Sequence, residues 1–231
     1  MKDLSIVIPA HKEDPKSIYK LYQYLTLEGA EVIVVDDGDT MELDDIPHFH
    51  YRPNMGYGYA IKYGIDRATR PIILTMDSDL QHLPEDAIKL YKVFNLIEDC
   101  AMVIGTRWNL KESPHRWIGR KILNFTASCL ALHYMQDMNS GMRIFKRDLA
   151  IGYKDILCDT FSFTTSLAMS IVGDGHKVAW FPIDVQPRKF GKSHVRVIKD
   201  GLITLWYILW IGCAVRTRHI RECFRGLFKH A

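Results

Sequence analysis

Short apolar runs alternate with stretches of helical periodicity through the first half of the chain. The runs occupy positions 4–8, 31–35, 72–76 and 102–104. Each has strand length and little polar alternation, as expected of strands covered on both faces in a parallel sheet. Between the first two, Asp14 is placed to cap a helix whose first position is Pro15, and Ile18, Leu21, Tyr22 and Leu25 follow at helical spacing. A second helix is predicted from near Gly58, carrying Ala60, Ile61, Gly64, Ile65 and Ala68. A third starts at Pro84 and carries Ile88, Leu90, Tyr91 and Phe94. Strand, helix, strand in this order predicts an α/β fold with a mostly parallel central sheet. After Ser113 the pattern loosens into a long helix over 115–133, followed by the strands "MRIF" and "KVAWFPI".

The second run ends "VVDDGD" and the third "MDSD". Two neighbouring parallel strands thus deliver carboxylates at their C-terminal ends, where open α/β sheets bind ligands. "VVDDG" alone would also suit a phosphoacceptor domain or a helix cap. Asp77 and Asp79, one residue apart, point the same way from a continuing strand, and at a strand-to-loop turn they can converge on one cation. Oxygen ligands select a hard ion, Mg²⁺ or Mn²⁺, which usually completes its shell with water and substrate phosphates. The buried strand before the pair and Gln81 after it favour this reading over two surface acids in a turn.

Composition narrows the partners. Thirty Lys and Arg against 27 Asp and Glu leave a formal net charge of +3 over 231 residues, too little to argue for nucleic acid. Five widely spaced cysteines without a CxxC pair suit reduced thiols in a cytosolic compartment. "LSIVIP" reads as a first strand, and nothing marks the chain for export.

Taken in order, "SIVIPAHKED", "VVDDGD", "NMGYGYAIKYGI", "MDSDLQHLPE", "IGTR", "NSGMRIF" and "RKFGKS" resemble the inverting family 2 glycosyltransferases of GT-A fold. The likeness is strongest to their dolichol-phosphate mannose synthase and polyprenyl-phosphate glycosyltransferase branch, and runs over 4–194. It implies a GT-A-type Rossmann-like sandwich and a GDP- or UDP-linked sugar donor. Pro9, His11, Glu13, Val35 and Asp37 would hold the base and ribose. Asp77 and Asp79 would flank the cation, Ser78 would offer backbone to the diphosphate, and Gln81 would add an oxygen. The family's Asn-Glu after the first strand is Lys12-Glu13 here.

The same resemblance assigns Arg107, Arg120 and, one turn beyond it, Asn124 to an acceptor phosphate, a role that suits arginine's planar fork. Relatives commonly carry serine where Asn124 stands. Ser140, Gly141 and Arg143 match an "SGFR" segment, either a tight turn with a buried ion pair or a part of catalysis. "RKFGKS" puts Arg188, Gly191 and Lys192 in a loop suited to closing over the donor diphosphate, with Arg188 stabilising the leaving group. The family's lysine farther along this loop is His194 here, with Lys192 as the available substitute. Thr164 and Thr165 stand where relatives often carry a carboxylate, and Asp159 is near in sequence.

Positions 201–215, "GLITLWYILWIGCAV", are apolar and uncharged but fall short of the about 20 residues that cross a bilayer. Beyond them Ile220, Cys223, Phe224, Leu227 and Phe228 recur at helical spacing, with Arg218, Arg221, Arg225 and Lys229 on the other face. An apolar helix with Trp206 and Trp210 as anchors, then a basic amphipathic one, predicts peripheral attachment at the cytoplasmic face of a membrane. A buried core helix or a homo-oligomer interface is the other reading. The expected division is a glycosyltransferase domain over 1–200 and an interfacial helical segment over 201–231. The expected activity is metal-dependent, inverting transfer of a sugar from a nucleotide donor to a polyprenyl phosphate. Transfer to a glycan or protein hydroxyl, and sugar-nucleotide binding without turnover, are the alternatives; Thr164 and Thr165 prompt the last.

Overall fold

The computed structural model describes residues 1–43, 45–109, 112–186 and 197–228, with side chains in the last stretch for 198–214 and 217. Among these residues the strands are β1 Leu4–Ala10, β2 Glu31–Asp37, β3 His48–Tyr51, β4 Ile72–Thr75, β5 Cys100–Arg107, β6 Arg143–Lys146 and β7 Lys177–Ile183. They form one sheet in the order β3-β2-β1-β4-β6-β5-β7. The pairings are parallel except at β6, which runs antiparallel to both β4 and β5. The helices are α1 Pro15–Leu27, α2 Tyr57–Arg67, α3 Pro84–Leu96, α4 Pro114–Ala131, α5 Arg147–Gly152, α6 Phe163–Gly173 and α7 Val197–Phe228.

Successive side chains of a strand face opposite sides of a sheet, and that alternation divides the core. Ile6, Ile8 and Val34 pack with Ile18, Leu21 and Leu25 of α1 and with Leu90 and Phe94 of α3. Val7, Ile33 and Val35 pack with Ala60, Ile61 and Ile65 of α2, in the same cluster as α6 and the inward face of α7. α1 begins as its sequence predicts, with Asp14 accepting a hydrogen bond from the Lys16 backbone N–H and Pro15 opening the helix.

α2 comes close to the segment that leads into α6. A Cβ on Gly58 would lie inside van der Waals contact with the Cys158 carbonyl oxygen and 2.8 Å from the Phe163 Cβ. Alanine is the better helix former by about 1 kcal/mol, so on propensity alone Gly58→Ala would stabilise. The obstacle is backbone, however, and overpacking of this kind costs about 1–3 kcal/mol. Gly58→Ala is therefore expected to lower the urea midpoint at an unchanged slope; a raised midpoint would show that the contact relaxes freely.

Three elements lie outside the sequence pattern: β3, the short helix α5 and α6. β3 is a short edge strand of His48, Phe49, His50 and Tyr51, without an apolar run. Every residue of α6 is buried, so its sequence carries no amphipathic period.

The C-terminal segment, expected as separate helices, is one continuous helix that passes the 200/201 boundary without a break. α7 packs on α4 and α6. Thr204, Ile208 and Ile211 face inward, while Leu202, Trp206, Leu209 and Trp210 are exposed. α4 buries Ala127 and leaves Trp117, Ile118, Ile122 and Phe125 exposed. The expected basic face formed by Arg218, Arg221, Arg225 and Lys229 lies outside the described side chains. No described helix is long and apolar enough to cross a membrane.

Candidate functional site

β1 pairs with β2 on one side and with β4 on the other, so the connections leave β1 in opposite directions and open a crevice at the strand ends. A cavity of about 940 Å³ lies there. The strand ends supply Pro9 within β1 and His11 and Glu13 after it, Asp37 at the end of β2, and Asp77, Ser78, Asp79 and Gln81 after β4. The part built by α4, α7, the end of β5 and the loop after it supplies Arg107, Glu112, Arg116 and Arg120, then Ile122, Leu123, Ile198, Leu202 and Leu205.

Asp77 is held from several sides. Its Oδ1 accepts a hydrogen bond of 3.0 Å from the Tyr57 hydroxyl, and its Oδ2 lies 3.7 Å from His82 Nδ1. Gly141 sits against the carboxylate, where a Cβ would approach its two oxygens to 2.5 and 2.6 Å. The Tyr57 ring stacks on Phe161 at 5.3 Å. Burial, reinforced by the negative charge of Asp77, pushes the Tyr57 hydroxyl well above the usual phenol range and keeps it a donor. Burial pushes His82 below the usual imidazole range, so it is neutral at pH 7.

Asp79 is mostly buried, and its Oδ1 accepts from the Gln81 backbone N–H at 3.0 Å across Leu80, which has a φ of 58°. The described residues hold no cluster of three His, Cys, Asp or Glu side chains that could cage a metal. Two carboxylates and the Gln81 amide lining one cavity nevertheless fit a hard cation of the kind that takes its remaining ligands from water and a diphosphate.

The acids after β2 divide their work. Asp36 is fully buried and accepts from the Thr40 and Met41 backbone N–H groups and the Thr40 hydroxyl. Asp37 accepts from the Met55 and Gly56 N–H groups at 2.7 and 2.9 Å, tying the loop before α2 to the rim of the cavity. His11 and Asn54 both reach the Asp37 carbonyl. Val35, expected at the donor base, is fully buried beneath α2, because its register in β2 turns it to the helix-covered face.

Arg107 makes a bidentate pair with Asp137, Nε at 2.8 Å and Nη2 at 2.6 Å, and its backbone N–H adds a third bond at 2.9 Å. Burial opposes both charges. The pairing outweighs it, so Arg107 is held above its ordinary value and Asp137 below. Arg120 grips Glu112 through Nε and Nη2. Asn124 is on the same helix but outside the cavity lining.

Arg143 is fully buried, and its guanidinium donates to the carbonyls of Met138, Ser140 and Thr164 instead of forming the expected ion pair. Burial lowers it to about 10. Thr164 lines the cavity and Thr165 donates to Asn139 Oδ1, whereas Asp159 is half exposed, paired with Lys62, and outside the lining. Arg188, Gly191, Lys192 and His194 lie outside the described residues. Tyr57, Glu112, Arg116 and Asp200 line the cavity without having been singled out from sequence. Arg116 was legible in principle, since it lies one turn before Arg120 on the same helix face.

Comparison with known proteins identifies the family and the fold. Glycosyl transferase family 2 matches residues 5–153. A protein of Methanocaldococcus jannaschii, described as uncharacterized, is 31% identical over 90% of this chain and 91% of its own. Glycosyltransferase AglD of Haloferax volcanii is 26% identical over 95% of this chain, which spans only 39% of that relative. An undecaprenyl-phosphate 4-deoxy-4-formamido-L-arabinose transferase of Photorhabdus laumondii is 26% identical, covering 90% of this chain and 67% of its own. Among solved structures, glucosyl-3-phosphoglycerate synthase from Mycobacterium tuberculosis, in complex with Mn²⁺, UDP-glucose and phosphoglyceric acid, gives a TM-score of 0.72 at 15% identity. It covers 91% of this chain and 80% of that one, and shares the GT-A fold. With more than half of its length matched by the family, this chain belongs to the family 2 glycosyltransferases.

Proposed function

We propose that this glycosyltransferase moves a sugar, with inversion, from a UDP- or GDP-linked donor to a polyprenyl phosphate at the cytoplasmic face of a membrane, using Mg²⁺ or Mn²⁺. The observation that carries the reading is the change of character along one cavity. Carboxylates line it at the strand ends, arginines along α4, and aliphatic side chains where α4 and α7 meet. That order matches a diphosphate with its cation, an anionic nucleophile, and an apolar tail.

Asp77 and Asp79, with Gln81, would hold the cation, which when bound neutralises a departing nucleoside diphosphate. Tyr57 and Gly141 set the orientation of Asp77, and the Asp79–Gln81 turn sets that of Asp79. A phosphate monoester has its second pKa near about 6, so its attacking oxygen is already anionic at neutral pH and needs no general base. This accords with Thr164 at the cavity wall and with Asp159 turned away to Lys62. The arginines orient the acceptor so that one oxygen faces the anomeric carbon in line with the leaving diphosphate.

The exposed faces of α4 and α7 carry Trp117, Ile122, Phe125, Leu202, Trp206 and Trp210, a surface suited to the interfacial region of a bilayer. The test is a panel of sugar nucleotides incubated with a prenyl phosphate and either cation, with the product identified by mass. A glycosyl prenyl phosphate is expected, and transfer to hydroxyl acceptors alone, or donor binding without turnover, would overturn the reading. A Leu202→Ser, Trp206→Ser, Trp210→Ser variant changes exposed positions only, and is expected to lose co-sedimentation with anionic vesicles while keeping its melting temperature. Undiminished sedimentation would remove α7 from the membrane contact.

A further inference from the structure

Building on the proposed polyprenyl-phosphate acceptor, we infer that Arg116 is the residue that first takes the acceptor's phosphate. Three arginines among the described residues line the cavity, and two of them are already engaged. Arg107 is locked on Asp137 by a bidentate pair and a backbone bond, and Arg120 is gripped on Glu112. Each of these pairs is electrically neutral. Arg116 has no hydrogen-bond or ion-pair partner among the described residues.

The unpaired guanidinium therefore supplies the net positive charge of this arginine cluster. A phosphate monoester arrives with a charge of about −1.5 to −2, and a cluster of neutral pairs offers it little attraction at a distance. Arg116 precedes Arg120 by one helical turn, so both project from α4 into the cavity. The other cation of this stretch, Lys121, lies over the Trp117 ring at 5.7 Å, and neither of these two lines the cavity. Beside Arg116 and Arg120 the cavity wall becomes Ile122, Leu123, Ile198 and Leu202, where an apolar tail attached to the phosphate would lie.

Glu112 completes the inference. Its carboxylate occupies an anion position on Arg120, and it also lines the cavity. A phosphate seated on Arg116 competes with Glu112 for Arg120, and the arginine that Glu112 releases becomes the second cation on the acceptor. Arg116 is thus an acceptor-binding residue, and Glu112 a placeholder that the acceptor displaces.

The experiment uses the full chain with a water-soluble, short-chain prenyl phosphate as probe, followed by donor binding, kcat and KM. Losing a charge-assisted contact costs about 1.5–3 kcal/mol, so Arg116→Ala should raise the KM for the probe by about tenfold or more at nearly unchanged kcat and donor affinity. Arg116→Lys should recover part of this, and Glu112→Gln should lower the KM. An unchanged KM for Arg116→Ala overturns the inference, even if vesicle binding weakens, because the arginine then serves the lipid surface. A loss confined to kcat, or a KM raised by Glu112→Gln, overturns it as well. If the wild type transfers only to hydroxyl acceptors, it is the polyprenyl-phosphate reading that fails; if the wild type uses the probe and Arg116→Ala matches it, the failure belongs to Arg116 alone.

Discussion

Asp79→Asn is expected to reduce sugar transfer by about a thousandfold or more and to leave the fold intact. Asparagine keeps an oxygen that accepts from the Gln81 N–H, so the turn through Leu80 survives. The change removes one negative charge beside the position a cation would take. Losing a metal-bound carboxylate at a site of developing diphosphate charge forfeits several kcal/mol, and each ~1.4 kcal/mol is a factor of ten in rate. The variant should melt at the wild-type temperature, bind Mn²⁺ more weakly in electron paramagnetic resonance titrations, and turn over at a trace of the wild-type rate. Full activity in excess chelator, or a variant within about twofold of wild type, would remove the carboxylate from metal binding.

Gly141→Ala should cost about a hundredfold in rate, through geometry alone. The added Cβ would lie 2.5 Å from one oxygen of Asp77 and 2.6 Å from the other. The backbone there is pinned, since the Gly141 carbonyl accepts from the Thr75 hydroxyl at 2.7 Å and the Met142 carbonyl accepts from the Gly105 N–H at 3.0 Å. The carboxylate must then move, and it loses the Tyr57 hydroxyl as its partner. A displacement of about 1 Å at a reacting centre costs on the order of a hundredfold in rate. Turnover and Mn²⁺ affinity should fall together in Gly141→Ala, and Tyr57→Phe should reproduce a smaller part of the loss. A lowered melting temperature with wild-type turnover would place the strain in the backbone and leave Asp77 where it was.

Both variants act on residues that are legible in the linear chain. β1, β2, β4 and β5 can be read from their apolar runs because parallel strands covered on both faces need no polar alternation. α1 and α2 can be read from their one-sided periodicity, and the acids at the ends of β2 and β4 from their position after a buried strand. β3 and α6 could not be read this way. An edge strand of His, Phe, His and Tyr buries too little to show a run, and a helix buried on all sides shows no period.

The chemistry divides along the same line. Residue types and local spacing determined that Asp77, Asp79 and Gln81 share one turn, that Arg116 and Arg120 share one helix face, and that the C-terminal segment is apolar with tryptophans. Only the tertiary structure decided which of those groups are engaged. Asp137 reaches Arg107 from 30 residues away and Tyr57 reaches Asp77 from 20, while Val35 turns from the crevice to α2 and Arg143 meets carbonyls in place of an acid. The physical reason is that charge pairing and desolvation depend on distance in space, which the crossovers of the sheet set, whereas periodicity depends only on neighbours along the chain.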